Sequence, residues 1–117
     1  MQLHEITYDQ AQPVEGYGPG FFRVAGKVIE GPMIATGSRA LSWAGLSDRA
    51  ALAALGGQVD VLFYGTGAEM AFAPSDLVAE MDALGIGVEA MSTPSACRTY
   101  NITLSEGRRV ALAVLPV

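Results

Sequence analysis

Residues 59–64, Val59-Asp60-Val61-Leu62-Phe63-Tyr64, carry apolar side chains at odd and even positions alike. A strand patterned this way is covered on both faces, so this run is predicted to be the central strand. Gly65-Thr66-Gly67 follows and opens a loop that runs to Ala73. The period then lengthens. Leu77, Val78, Met81 and Leu84 fall at helical spacing and predict a helix opened by Pro74-Ser75-Asp76 and ended by Gly85 and Gly87. Residues 88–91 read as the next strand. Thr93-Pro94 opens another helix, a threonine cap followed by proline where no amide is needed, and Gly107 closes it. Residues 110–115 are strongly apolar and form the last strand.

Upstream of the central strand, residues 39–43 alternate with Leu41 and Trp43 on one face, which suits a strand. Ser47 is placed to cap a helix over 48–55, because its hydroxyl can accept an orphan amide, and Gly56-Gly57 stops that helix. Phe21-Phe22-Arg23-Val24 and Lys27-Val28-Ile29 flank a tight turn at Ala25-Gly26 and predict an antiparallel pair. Gly31-Pro32 breaks it, and Met33-Ile34-Ala35 either resumes it or forms a further short strand. Gly16-Tyr17-Gly18-Pro19-Gly20 is dense in breakers and predicts a loop. Residues 1–13 read as irregular or as a marginal edge strand, with Leu3, Ile6 and Tyr8 available to tuck against the body. Together these elements predict one α/β domain over residues 1–117. It has three layers: a central, mostly parallel mixed sheet, helices on its faces, and an N-terminal antiparallel β layer.

Composition narrows the function classes. Half of the 117 residues are apolar, so the chain can bury a single real core. The formal charge is −5 and Lys27 is the one lysine, a surface that repels phosphate backbones and argues against nucleic acid or a polybasic membrane patch. Cys97 is the one cysteine, which excludes a disulfide within the chain. No apolar run is long enough to span a bilayer, and the polar, acidic start resembles neither a signal nor a transit peptide. These features predict a cytoplasmic protein with no integral membrane segment.

Several short motifs occur in one order: Phe22-Arg23-Val24 with Gly31-Pro32, Trp43-Ala44-Gly45-Leu46, and Leu62-Phe63-Tyr64-Gly65-Thr66-Gly67. They continue with Gly85-Ile86-Gly87-Val88-Glu89, Thr93-Pro94-Ser95-Ala96-Cys97-Arg98-Thr99-Tyr100-Asn101, and Glu106-Gly107-Arg108-Arg109-Val110. Nearly the whole chain therefore resembles the small domains of unknown function related to mitochondrial complex I assembly factor 3 and to an adipogenesis-associated protein. The resemblance implies a three-layer fold with a mixed sheet and a cytoplasmic bacterial member. It also implies a non-enzymatic role beside other assembly factors of NADH dehydrogenase. It brings no catalytic residues. Gly65, Gly67, Thr93, Ala96, Tyr100 and Asn101 are the positions that match residue by residue.

The residues themselves offer one candidate crevice. Gly65, Thr66 and Gly67 leave a strand where parallel sheets place their ligand sites, and Thr93 and Ser95 start a helix at the end of the neighbouring strand. Amides converging there could hold a carboxylate or phosphate, with Arg98, Tyr100 and Asn101 at the edge. The plainer reading is a tight connection, a helix cap, and an asparagine that ties down a loop. Met70 occupies the third glycine position of a dinucleotide fingerprint, so that motif fails. Cys97 sits where a helix N-terminus lowers a thiol pKa, but it also falls on an apolar stripe. The single histidine, His4, leaves no Ser-His-Asp set and no metal-ligand spacing. Asp60 and Glu89 could pair for acid–base work or simply mark strand ends. Phe21, Phe22, Met33, Trp43, Met70 and Phe72 either build the core of the N-terminal layer or form an exposed patch. The expected function is a protein-interaction module with a protein partner, no cofactor and no metal. Self-association as a homodimer is a weaker expectation. The alternative is a small-molecule or anion-binding domain, or an enzyme, that uses the crevice.

Overall fold

The computed structural model describes residues 11–117, so the expectation for Leu3, Ile6 and Tyr8 lies outside the described residues. In chain order the elements are β1 (Val14–Gly18), β2 (Phe21–Val24), β3 (Lys27–Glu30), β4 (Met33–Thr36), β5 (Arg39–Ser42) and α1 (Arg49–Ala53). They continue with β6 (Val61–Thr66), α2 (Ser75–Ala83), β7 (Gly87–Met91), α3 (Thr93–Ser105) and β8 (Val110–Leu115). Strands β1-β2-β3 form a small antiparallel sheet, and β5-β4-β8-β6-β7 form a larger one. The larger sheet is mixed. β6 pairs parallel with β7 and β8, while β4 pairs antiparallel with β8 and β5. Parallel ladders are fewer than the strand–helix alternation suggests, because β4 and β5 form a hairpin around Gly37-Ser38 and join the sheet as a unit. A two-residue turn can only join antiparallel strands.

The chain leaves β6 for β7 on one side and then returns across β6 to β8. Right-handed crossovers in opposite directions put their helices on opposite faces. Two cores result. In one, Ala96, Cys97, Tyr100 and Leu104 of α3 pack with Phe22 and Val24 of the small sheet against Met33, Phe63, Leu112 and Val114. In the other, Leu52 and Leu55 near α1 and Leu77 and Met81 of α2 pack with Trp43 against Leu62, Tyr64, Ala111 and Ala113. The period-two alternation of β6 and β8 thus serves both cores, as a doubly covered strand must.

Four local expectations change. The central strand runs from Val61 to Thr66, two residues later than the apolar run suggests, because pairing with β8 continues through Gly65 and Thr66. The glycine-rich stretch around Tyr17 is strand β1 and not a loop. It lies at a sheet edge, its register shifts between Val14 and Gly16, and the turn falls at Gly20, where φ is +80°. Gly18 has a packing reason as well: a Cβ there would lie 2.5 Å from the Phe21 ring. Helix α1 is capped by Asp48, whose carboxylate accepts the Ala51 amide at 3.2 Å, while the Ser47 hydroxyl turns back to the Ala44 carbonyl. Leu41 and Trp43 do not share a buried face. Leu41 is 52% exposed on edge strand β5, whereas Trp43 lies past the strand, buried, with Nε1 donating to the Asp48 carbonyl.

Asn101 joins the small sheet to α3. Its Nδ2 donates to the Val14 carbonyl at 2.8 Å and its Oδ1 accepts the Val14 amide at 2.9 Å. Both open groups of the first β1 residue are thereby satisfied from outside the sheet. Replacing Asn101 with Ala should cost about 1–3 kcal/mol in urea unfolding. The Val14 amide should lose hydrogen-exchange protection before the amides of β6 do.

Candidate functional site

Because β6, β7 and β8 run parallel, Thr66, Met91 and Leu115 end at the same edge of the sheet. The helix α3 starts there, directly after β7. Ser92 takes the N-cap position and Thr93 is the first helical residue, so the helix starts one place earlier than the sequence suggests, with Pro94 next. Thr93 is fully buried. Its hydroxyl donates to the Leu115 carbonyl at 2.6 Å and accepts the Gly67 amide at 2.9 Å. The Thr93 amide in turn donates to the Gly67 carbonyl at 2.8 Å. One threonine therefore binds the ends of three strands. Gly65 permits the approach: a Cβ there would lie 2.6 Å from Val114 Cγ1 and 3.0 Å from Thr93 Cα. Gly67 has φ +100°, a conformation L side chains rarely adopt.

Thr66 organises the next stretch. Its hydroxyl lies 2.6 Å from the Glu69 carbonyl and accepts the Ala71 amide at 3.1 Å, with the Met91 carbonyl 3.2 Å away. Ser95 is half-buried and 3.2 Å from the Ser92 hydroxyl. Gly65, Thr66, Gly67, Thr93 and Ser95 thus gather at one end of the sheet. Tyr100 and Asn101 lie about two helical turns farther along α3, against the small sheet. Arg98 is exposed. A hollow of about 320 Å³ runs between β1 and α3, and its lining includes Tyr17, Pro94, Cys97, Arg98 and Asn101 but neither glycine nor Thr93. The sequence reading missed the Thr93 and Thr66 hydroxyls as connectors. The available signal was a threonine at each of two neighbouring strand ends.

The family model described as a protein of unknown function (DUF498/DUF598) matches residues 14–115. That span opens with β1 and closes with β8. The chain belongs to the DUF498/DUF598 family. An uncharacterized protein of Rhodobacter capsulatus is 53% identical over 117 residues, covering 100% of this chain and 94% of that protein. NADH dehydrogenase (ubiquinone) 1 alpha subcomplex assembly factor 3 of Danio rerio is 30% identical over 110 residues, 88% of this chain. The alignment spans 63% of that factor's length. The solution NMR structure of a Mth938-like domain protein from Bordetella pertussis superposes with a TM-score of 0.80 at 28% identity, covering 99% of this chain and 92% of that one.

Titratable groups in this DUF498 fold sit mostly where ordinary packing puts them. Cys97 is buried in the α3 core, and that burial pushes its thiol up to about 12, opposite to the lowering a helix N-terminus alone would give. Burial also raises the phenol of Tyr100, whose hydroxyl meets no hydrogen-bond partner among the described residues. Asp60 and Glu89 do not pair. Asp60 precedes β6 and lies 3.4 Å from Arg109, whereas Glu89 sits opposite Phe63 in the β6–β7 register. Among the described residues no three His, Cys, Asp or Glu side chains cluster as metal ligands, and no helix is long and apolar enough to cross a membrane. The large apolar residues divide: Phe22, Met33 and Trp43 are buried, Phe21 is half-buried, and Met70 and Phe72 are exposed.

Two outcomes follow from this geometry. Thr93→Val keeps the shape but strands the Leu115 carbonyl and the Gly67 amide, so urea unfolding should show a loss of about 2–4 kcal/mol, largely restored by Thr93→Ser. Stability should also fall at alkaline pH. The unfolded Cys97 releases its proton near pH ~8.5, while the folded thiol holds it to about 12. The native state binds the extra proton across that window, so stability is full below it and falls by about 1.4 kcal/mol per pH unit as pH rises through it. Urea midpoints of Cys97→Ala should stay level between roughly pH 8.5 and 10, above which Tyr100 adds its own loss.

Proposed function

We propose that this chain is a non-enzymatic, cytoplasmic protein-interaction module that assists assembly of a respiratory complex. The observation that carries this reading is the state of the strand ends. Ligand sites of parallel α/β sheets form at the carboxyl edge from open amides and hydroxyls. Here the Gly67 amide donates to the Thr93 hydroxyl, the Thr93 amide donates to the Gly67 carbonyl, and the Thr66 hydroxyl is taken up by the Glu69 carbonyl and the Ala71 amide. A site so closed leaves the outer surface as the place of function. The likeness to a protein named as an assembly factor of NADH dehydrogenase supplies the client class. Fold similarity alone would not supply it.

The competing reading places an anion or small molecule at Gly65–Gly67 and Thr93–Ser95, and such a ligand would have to displace these internal bonds. One paired experiment separates the two readings. Affinity capture of the full chain from its native cells should retain subunits of a respiratory NADH dehydrogenase well above an untagged control. Thermal unfolding with inorganic phosphate, nucleotides and small carboxylates should leave the midpoint unchanged. Absence of those subunits overturns the assembly role, and a saturable rise in midpoint restores the ligand reading.

A further inference from the structure

Between α1 and α3 the chain carries an unusual combination of charge and exposed apolar surface. Residues 50–97 contain no Lys, Arg or His and six acidic side chains. Arg49 reaches Asp76 and Glu80 from outside this stretch, and Arg109 reaches Asp60. Among the described residues Glu69, Asp82 and Glu89 meet no basic side chain. Within this acidic stretch, residues 68–72 are consecutively exposed, and Met70-Ala71-Phe72 is an apolar run at its centre. Phe72 is 88% exposed and Met70 54%. Scattered single apolar residues on a surface need no explanation, but an exposed run of three does.

The loop that carries them is held in shape. The Thr66 hydroxyl contacts the Glu69 carbonyl and the Ala71 amide, one on each side of Met70. Thr66 is itself the last residue of the central strand, so the loop is anchored directly to the end of that strand. The far side runs into α2 through Pro74, the N-cap residue. A preorganised loop loses little freedom on binding, and aromatic anchors of this kind carry most of the energy at protein interfaces.

We propose that loop 68–72 is a docking knob that inserts Phe72 and Met70 into an apolar pocket rimmed by lysine or arginine on a partner protein. The knob is convex and apolar, so its complement is a concave apolar pocket. The exposed Glu69 stands within the knob itself and meets no basic side chain among the described residues, so the rim of that pocket is basic. The same charge disfavours the two other occupants. An anionic bilayer surface repels Glu69, and a second copy of this chain would bring like charge to like charge. The proposal rests on the interaction-module reading and gives it a surface and a partner chemistry.

The test is photo-crosslinking of the full chain in its native cells, with p-benzoylphenylalanine at position 72 and, as a control, at position 28, where Val28 is exposed on β3. A dominant protein adduct is expected from position 72 and not from position 28. Its crosslinked peptide should lie in an apolar pocket flanked by Lys or Arg, and Glu69→Lys should reduce its yield at least fivefold. No adduct, an adduct with a second copy of this chain, the same adduct from position 28, or a yield indifferent to Glu69→Lys overturns the proposal. So does Phe72-dependent co-sedimentation with phosphatidylglycerol vesicles. Phe72→Ser should leave the thermal midpoint unchanged, since the side chain packs on little. If Phe72→Ser still captures the NADH dehydrogenase subunits that the wild type captures, this surface is wrong and the assembly role stands. If the wild type captures none, the assembly role falls, and the position-72 adduct decides the knob independently.

Discussion

The Thr93 hydroxyl is the smallest group on which the most structure depends. It is buried, it donates once and it accepts once, and both partners are backbone groups of other strand ends. A buried backbone amide or carbonyl without a partner costs more than an ordinary hydrogen bond gains. Here a single oxygen prevents two such losses. It does so where three strands stop and a helix begins, at an edge that would otherwise be open to water. The neighbouring hydrogen bond from the Thr93 amide to the Gly67 carbonyl makes the joint directional, so the start of α3 is fixed against the end of β6 as well as β8.

That fixed start sets how α3 lies across the sheet, and the rest of the packing follows from it. Gly65 lets the helix backbone come within contact distance of β6. Along the helix, Ala96, Cys97, Tyr100 and Leu104 then fall on Phe63, Leu112 and Val114. Farther on, Asn101 reaches the backbone of Val14 and docks the small sheet. Helix α3 is thus held by polar bonds at its start and in its middle, with apolar contact between them. The opposite face of the sheet contains Ala111 and Ala113, whose small side chains share a core with Trp43, Tyr64 and the helices α1 and α2.

Most of the element order was legible because it rests on periodicity. The double-sided apolar run at Val61 to Tyr64, the α2 stripe (of which Leu77 and Met81 are buried while Val78 and Leu84 are exposed), and the proline at the start of α3 each state their element locally. What was not legible depends on neighbours distant in sequence. Nothing local says that Met33–Thr36 lies beside β8, so the direction of half the ladders was hidden. Gly16 and Gly18 look like breakers until Arg23 and Phe21 are placed opposite them. At the candidate site the convergence of Gly67 with Thr93 could be inferred from strand order. That their polar groups would point at each other could not, because hydroxyl direction depends on where Leu115 ends. The structural role of Asn101 was readable in kind, as a backbone tether, though not in its target.

The place of β4 has a consequence for how the protein is made. Met33 pairs with Val114 and Thr36 with Ala111, so β4 waits for a partner encoded more than seventy residues later. On the ribosome, Met33, Ile34 and Ala35 emerge with only the β5 hairpin for company, and the β4 edge that pairs with β8 stays open until β8 follows. Contacts of such long sequence separation form slowly and leave apolar strands uncovered meanwhile. Closure of the sheet therefore waits for β8, and until then the nascent chain carries a sticky, half-built edge.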